Sequence, residues 1–134
     1  FEQQLRADFN FLPYAPMLFI SAKTGQRVSR VLPQALEANE ARYHRIPTGT
    51  LNKFMRRVTT EHLPPSKSGV RVKFFYATQP GVAPPSIIFF VNKPQWVHFG
   101  YQRYLENNLR EEFPLTGTPI RLIFRARSEE RYGK

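Results

Sequence analysis

The chain has 134 residues, a formal charge of +10 from 20 Lys and Arg against 10 Asp and Glu, 12 prolines and no cysteine. That length supports one ordinary domain or two small ones, and 41% hydrophobic with 14% aromatic content excludes a disordered basic tail. The missing cysteines exclude disulfides, thiolate zinc sites and cysteine nucleophiles, and no apolar run reaches the roughly 18–20 residues of a membrane span.

The chain opens at Phe1 rather than Met, as expected of a processed product or a fragment. Residues 1–9 read as the end of a helix, and Phe11 to Pro16 as a proline-punctuated connection. Met17-Leu18-Phe19-Ile20 is a continuous apolar run, the pattern of a parallel strand buried on both faces. Ser21-Ala22-Lys23-Thr24-Gly25 forms a small-residue loop at its carboxyl end. Val28, Val31, Leu32, Ala35 and Leu36 recur at helical spacing and predict an amphipathic helix over 28–42, with Pro33 tolerated only near its first turn. Helix, strand, loop, helix is the closing part of an α/β fold, and so few elements cannot cover both faces of a parallel strand.

A second unit opens at Ile46-Pro47-Thr48, where Thr48 is the expected N-cap of a helix over 49–62. Leu51, Phe54, Met55 and Val58 mark its apolar face, and Lys53, Arg56 and Arg57 lie largely off it. Pro64 to Gly69 reads as a flexible loop, Arg71–Ala77 as a strand, Gly81 to Pro85 as a connection and Ser86–Val91 as a central strand. A helical region follows over 95–113, with Val97, Tyr101, Tyr104, Leu105, Leu109 and Phe113 as its stripe and Gly100 expected to split it. Thr116 to Pro119 is a turn, Ile120–Phe124 the last strand, and Arg125 to Lys134 a charged tail. The order of this unit is α-β-β-α-α-β.

Charge divides sharply along the chain. Residues 1–42 carry +1 and the remaining 92 carry +9, which suggests two units with different partners. Positive charge of this size favours phosphate-rich partners through counterion release; a merely solvated surface is the competing reading. An anionic membrane is disfavoured, since no long basic amphipathic helix carries bulky apolar residues on its other face. Candidate phosphate contacts are Lys53, Arg56, Arg57, Arg71, Lys73, Arg121, Arg125 and Arg127, some of them expected to be only solvated.

Phe74, Tyr76, Phe89 and Phe90 are expected mostly in the core, with base stacking on an exposed sheet as the alternative. Trp96 is expected to anchor the start of the helical region. His44, His62 and His98 lack a ligand spacing, so no metal site is expected, and no Ser, His and carboxylate set points to hydrolytic catalysis.

Ser21-Ala22-Lys23-Thr24-Gly25 after an apolar strand resembles the fifth guanine-nucleotide motif of small-GTPase-fold proteins. Tyr14-Ala15-Pro16, Phe19-Ile20-Ser21-Ala22, Thr24-Gly25-Gln26-Arg27-Val28 and Arg45-Ile46-Pro47-Thr48 read in order like the Der (EngA) family of bacterial GTPases. So do Tyr76-Ala77-Thr78-Gln79, Phe90-Val91-Asn92, Tyr104-Leu105-Glu106-Asn107 and Gly117 to Phe124. The resemblance implies two tandem GTPase domains followed by a KH-like domain, acting in large-ribosomal-subunit assembly in the cytoplasm. Residues 1–42 would be the end of the second GTPase domain and 43–134 the KH-like domain, an α+β fold preceded by the strand-helix remnant of an α/β P-loop domain. Ser21, Ala22 and Lys23 would lie along the guanine base, with the Ala22 amide at guanine O6. Implied partners are rRNA or the ribosome and the parent's own GTPase domains; implied ligands are GTP or GDP with Mg²⁺ in the intact parent.

The chain also departs from that family's pattern. It has no G-x-x-x-x-G-K-[ST] phosphate loop, no D-x-x-G segment and no N-K-x-D motif. With no phosphate cradle, GTP hydrolysis by this segment is not expected, nor is any cofactor of its own. KH domains clamp four nucleotides with a GxxG loop, but the corresponding stretch, Val97-His98-Phe99-Gly100-Tyr101-Gln102, has one glycine between two bulky rings. Altered or lost KH-style clamping is therefore expected. The alternative is a stand-alone small basic RNA-binding or ribosomal protein with a KH fold.

Overall fold

A computed structural model describes residues 1–127. Helix α1 (Glu2–Asp8) leads through an extended stretch to a 3₁₀ turn (Val28–Arg30) and α2 (Val31–Arg42), followed by α3 (Thr48–Glu61). Strands β1 (Ser66–Lys67) and β2 (Val70–Arg71) form a small hairpin, and β3 (Phe74–Gly81) and β4 (Ser86–Val91) a longer one. A 3₁₀ turn (Pro94–Trp96), α4 (Phe99–Glu112) and β5 (Arg121–Ala126) complete the order. No helix among the described residues is long and apolar enough to cross a membrane.

The second unit has the expected order apart from the added β1–β2 hairpin, with the first of its two consecutive helices reduced to the 3₁₀ turn at 94–96. β4 is central, antiparallel to β3 and parallel to β5, the crossover through α4 being what a parallel pair requires. Leu51, Phe54, Met55 and Val58 of α3 pack with Tyr101, Leu105 and Leu109 of α4 against Ala77, Ile87, Phe89 and Val91 of the sheet. Both helices therefore cover one face of the sheet. Alternation along β4 sends Ile87, Phe89 and Val91 inwards and Ile88 and Phe90 outwards.

Several boundaries differ from expectation, each for a local reason. Pro47 takes the N-cap position and its carbonyl accepts from Leu51 N at 2.9 Å, so Thr48 opens α3 instead of capping it. The segment 64–69 is ordered into the β1–β2 hairpin, because Ser68 (φ 53°) and Gly69 (φ 78°) supply the two left-handed residues of a tight turn. The helical break falls at Val97–His98, and Gly100 lies in the first turn of α4, its N–H held by His98 Nδ1 at 3.1 Å. β5 runs on to Ala126 because Arg125 and Ala126 pair with Phe90 and Val91; of the expected charged tail, 128–134 lie outside the described residues.

The first 42 residues form no core of their own; Ala41 is the one buried residue among them. Met17–Ile20 is not a strand, since none of the described strands pairs with it, and Leu18, Phe19 and Ile20 are exposed. α2 forms with Pro33 in its first turn, yet its predicted apolar stripe faces solvent, Leu32 being 74% exposed. This segment touches the second unit through a few contacts. Ala83 N donates to the Arg42 carbonyl at 2.7 Å, the Arg110 guanidinium lies 4.9 Å from the Tyr14 ring centre, and Gly117 sits against Ala38 and Pro16.

Candidate nucleic-acid interface and base-contact loop

The loop at Ser21–Gly25 is closed by its own polar groups. Gly25 N donates to the Ser21 carbonyl at 2.8 Å, Thr24 N to Ser21 Oγ at 3.2 Å, and Ser21 N to the Gln26 carbonyl at 3.1 Å. Gly25 (φ 74°) and Arg27 (φ 64°) both take left-handed backbone to turn the chain into the 3₁₀ helix. Ala22 and Lys23 are exposed, and the Ala22 N–H has no partner among the described residues. The loop can offer an amide to one edge of a base, and the sequence holds no G-x-x-x-x-G-K-[ST] phosphate loop.

The eight candidate cations fall into three groups. Lys53 and Arg56 stand exposed on the solvent side of α3 without an ion pair among the described residues. Arg57 beside them is occupied: it bonds Glu61 at 3.2 Å and also Glu112, bridging α3 to α4. The Glu112 carboxylate raises its already high pKa. Arg71 and Lys73 flank the β2–β3 junction; the Arg71 guanidinium donates to the Pro64 carbonyl, and Lys73 is exposed. Arg121 and Arg125 are exposed on β5, and Arg127, just beyond it, places its guanidinium 4.3 Å from the Phe75 ring centre. Because α3 covers the inner face of the sheet and Arg121 and Arg125 alternate outwards with Ile123, the first and third groups lie on opposite sides of the domain.

At the KH-type clamp position His98, Phe99 and Gly100 are exposed. His98 caps α4 through the Gly100 amide, and a Cβ at Gly100 would meet the His98 ring at 3.2 Å. Tyr101 is buried and donates its hydroxyl to the His62 carbonyl at 2.9 Å; burial pushes its phenol pKa up. Burial likewise raises Tyr104, whose hydroxyl donates to the Val58 carbonyl at 2.7 Å. His62 packs its ring against both tyrosines. Trp96 sits in the 3₁₀ turn, packs on the core, and has the Lys67 and Lys93 ammonium groups 5.9 and 5.6 Å from its ring centre. Neither lysine stands out by sequence, since only the β1–β2 hairpin brings Lys67 to the indole.

The four candidate aromatics separate. Phe74 and Phe89 pack in the core, whereas Tyr76 and Phe90 lie on the outer face with ring centres 6.1 Å apart. Two buried amides carry no signal in the sequence. Asn52 donates to the Ala77 carbonyl and accepts from Ala77 N, both at 2.9 Å, acting as a partner for the free edge of β3. Gln79 accepts from Ile46 N at 2.8 Å and donates to the His44 carbonyl at 2.9 Å, tying the linker before α3 to the same strand.

Two helices on one face of a β3-β4-β5 sheet, with β4 antiparallel to one neighbour and parallel to the other, define an α+β domain of KH-like type. Residues 45–125 match the family described as the KH-domain-like, C-terminal domain of EngA bacterial GTPase enzymes. The chain belongs to that family. It is 50% identical over 127 residues to GTPase Der of Thermomicrobium roseum, covering 95% of this chain and 28% of that protein. It is 52% identical to GTPase Der of Moorella thermoacetica and 45% identical to that of Geotalea uraniireducens, each over 131 residues, 98% of this chain and 30% of the relative. The chain thus spans about a third or less of the curated relatives it matches.

Proposed function

We propose that this chain is the C-terminal part of a Der-type GTP-binding protein that acts in large-subunit assembly in the cytoplasm, and that its KH-like domain contacts rRNA. The carrying observation is the exposed cation set of Lys53, Arg56, Lys73, Arg121 and Arg125, without ion pairs among the described residues, on a domain whose relatives are GTPases. In the intact protein, residues 1–42 complete the second GTPase domain, whose other elements cover the exposed stripe of α2. Ser21, Ala22 and Lys23 then line the guanine base of GTP or GDP, while Mg²⁺ and the phosphates are held upstream. The KH-like domain packs on a GTPase domain, and nucleotide state changes that packing and the exposure of basic surface.

The test is co-sedimentation of the chain with large ribosomal subunits across a salt series. Binding that falls steeply as salt rises is expected; no association at low salt overturns the rRNA contact. Equal rRNA affinity of the GTP- and GDP-bound intact protein overturns the coupling. An intact cellular mass near 15.7 kDa would support the stand-alone alternative, whereas one about three times larger supports a Der-type parent.

A further inference from the structure

The outer face of the sheet carries a feature set by strand register. Phe74 pairs with Val91 but Tyr76 pairs with Phe90, so β3 has one residue more than β4 at this point. Such a β-bulge re-aims side chains. Phe74 and Ala77 both return to the core, and the two residues between them, Phe75 and Tyr76, both emerge on the side away from the helices. They are 37% and 45% exposed, far more than the aromatics that line the core. Phe90 lies beside Tyr76, their rings inclined by 31°, and Phe90 is paired in turn with Arg125 of β5. One row across three strands thus runs from the Tyr76 ring through the Phe90 ring to Arg125, with Phe75 beside Tyr76 on β3. Arg121, four pairs back along β5 on the same face, and Arg127, over Phe75, extend the cationic edge.

β3, β4 and β5 contain no carboxylate. A ligand with flat, apolar faces and a negatively charged backbone matches both halves of this surface. Aromatic rings stack on any unpaired base, and flanking arginines meet the phosphates. A duplex hides its base faces and has no use for the rings. We propose that this outer sheet face binds unpaired nucleotides of single-stranded RNA, with Phe75, Tyr76 and Phe90 as stacking rings and Arg121 and Arg125 as phosphate contacts. The proposal rests on the reading that the KH-like domain contacts RNA and assigns that contact to a face other than the stretch at 97–102.

The experiment measures fluorescence anisotropy of a labelled oligouridine of about ten nucleotides titrated with the 134-residue chain, beside an RNA duplex of equal length. Tyr76→Ala and Phe75→Ala are each expected to weaken single-strand binding about 10-fold, Tyr76→Phe to retain it, and Lys53→Ala to weaken single strand and duplex alike. Photocrosslinking of 4-thiouridine RNA to the unaltered chain, read by mass spectrometry, is expected within 74–91 and needs no variant to fold. Unchanged affinity in both alanine variants, crosslinks confined to α3, or equal affinity for the duplex overturns the assignment while leaving rRNA contact standing. Failure of every RNA to bind overturns both. Retention of Der GTPase domains by the chain, lost in Tyr76→Ala while RNA affinity holds, assigns the face to a protein and overturns the proposal.

Discussion

Asn52 carries more of this fold than its place in a basic helix suggests. Its amide satisfies the N–H and the carbonyl of Ala77 at the open edge of β3, so truncation leaves two buried backbone groups unpaired. Asn52→Ala is expected to lower stability by about 2–3 kcal/mol, seen as a lower urea midpoint at unchanged slope. Gly117 is constrained twice: its φ is +86°, and a Cβ would stand 2.8 Å from Ala38 Cβ. Gly117→Ala should cost about 1–3 kcal/mol. Adding Ala38→Gly should recover the steric part and not the backbone part, which a double-mutant cycle separates. Tyr101, with Tyr104 beside it, is expected to weaken stability at alkaline pH. Its pKa is raised in the folded chain by burial, so its contribution is complete below the unfolded value of about 10. It is lost as pH rises from there towards the folded value, because the unfolded state gives up the proton first. Urea midpoints should therefore fall above about pH 10, and Tyr101→Phe should flatten that fall.

At the scale of elements, α3 shows how one amphipathic helix serves two roles. Its apolar residues at 51, 54, 55 and 58 are legible from spacing alone, and all four are buried. The value of each cation is not legible, because it depends on what the neighbouring helix offers. Glu112 of α4 engages Arg57, while Lys53 and Arg56 have no such neighbour among the described residues. Arg56→Ala is expected to reduce the salt dependence of RNA binding by about one phosphate contact, and Arg57→Ala to change it little, as anisotropy titrations at several salt concentrations would report. β3 makes the same point. Its β-propensity is plain, but a bulge is a property of paired strands, so the placement of Phe75 and Tyr76 on one face cannot be read from β3 alone. The apolar run at 17–20 and the stripe of α2 are equally plain as patterns. They form no buried layer in this chain because burial needs a partner surface that a pattern does not supply.

At the scale of the molecule, the division of charge is the leading fact. A near-neutral segment without a core precedes a domain that carries most of the +10, and within that domain the cations point to opposite sides. If both sides contact RNA, combining Lys53→Ala with Arg125→Ala should weaken rRNA binding by the product of the single effects, since distant sites add in free energy. The segment 1–42 should give no saturable GTP binding by calorimetry, since it offers one base edge and no phosphate cradle.

The family, the α+β class and most of the element order after residue 45 follow from the sequence alone, because periodicity and motif order are local properties that survive without coordinates; the strand expected at 17–20 and the β1–β2 hairpin do not. Which aromatics are core and which are surface, and which arginine is already paired, are decided only by tertiary structure. Each depends on two segments meeting: Glu112 with Arg57 across two helices, and Phe90 opposite a bulged β3.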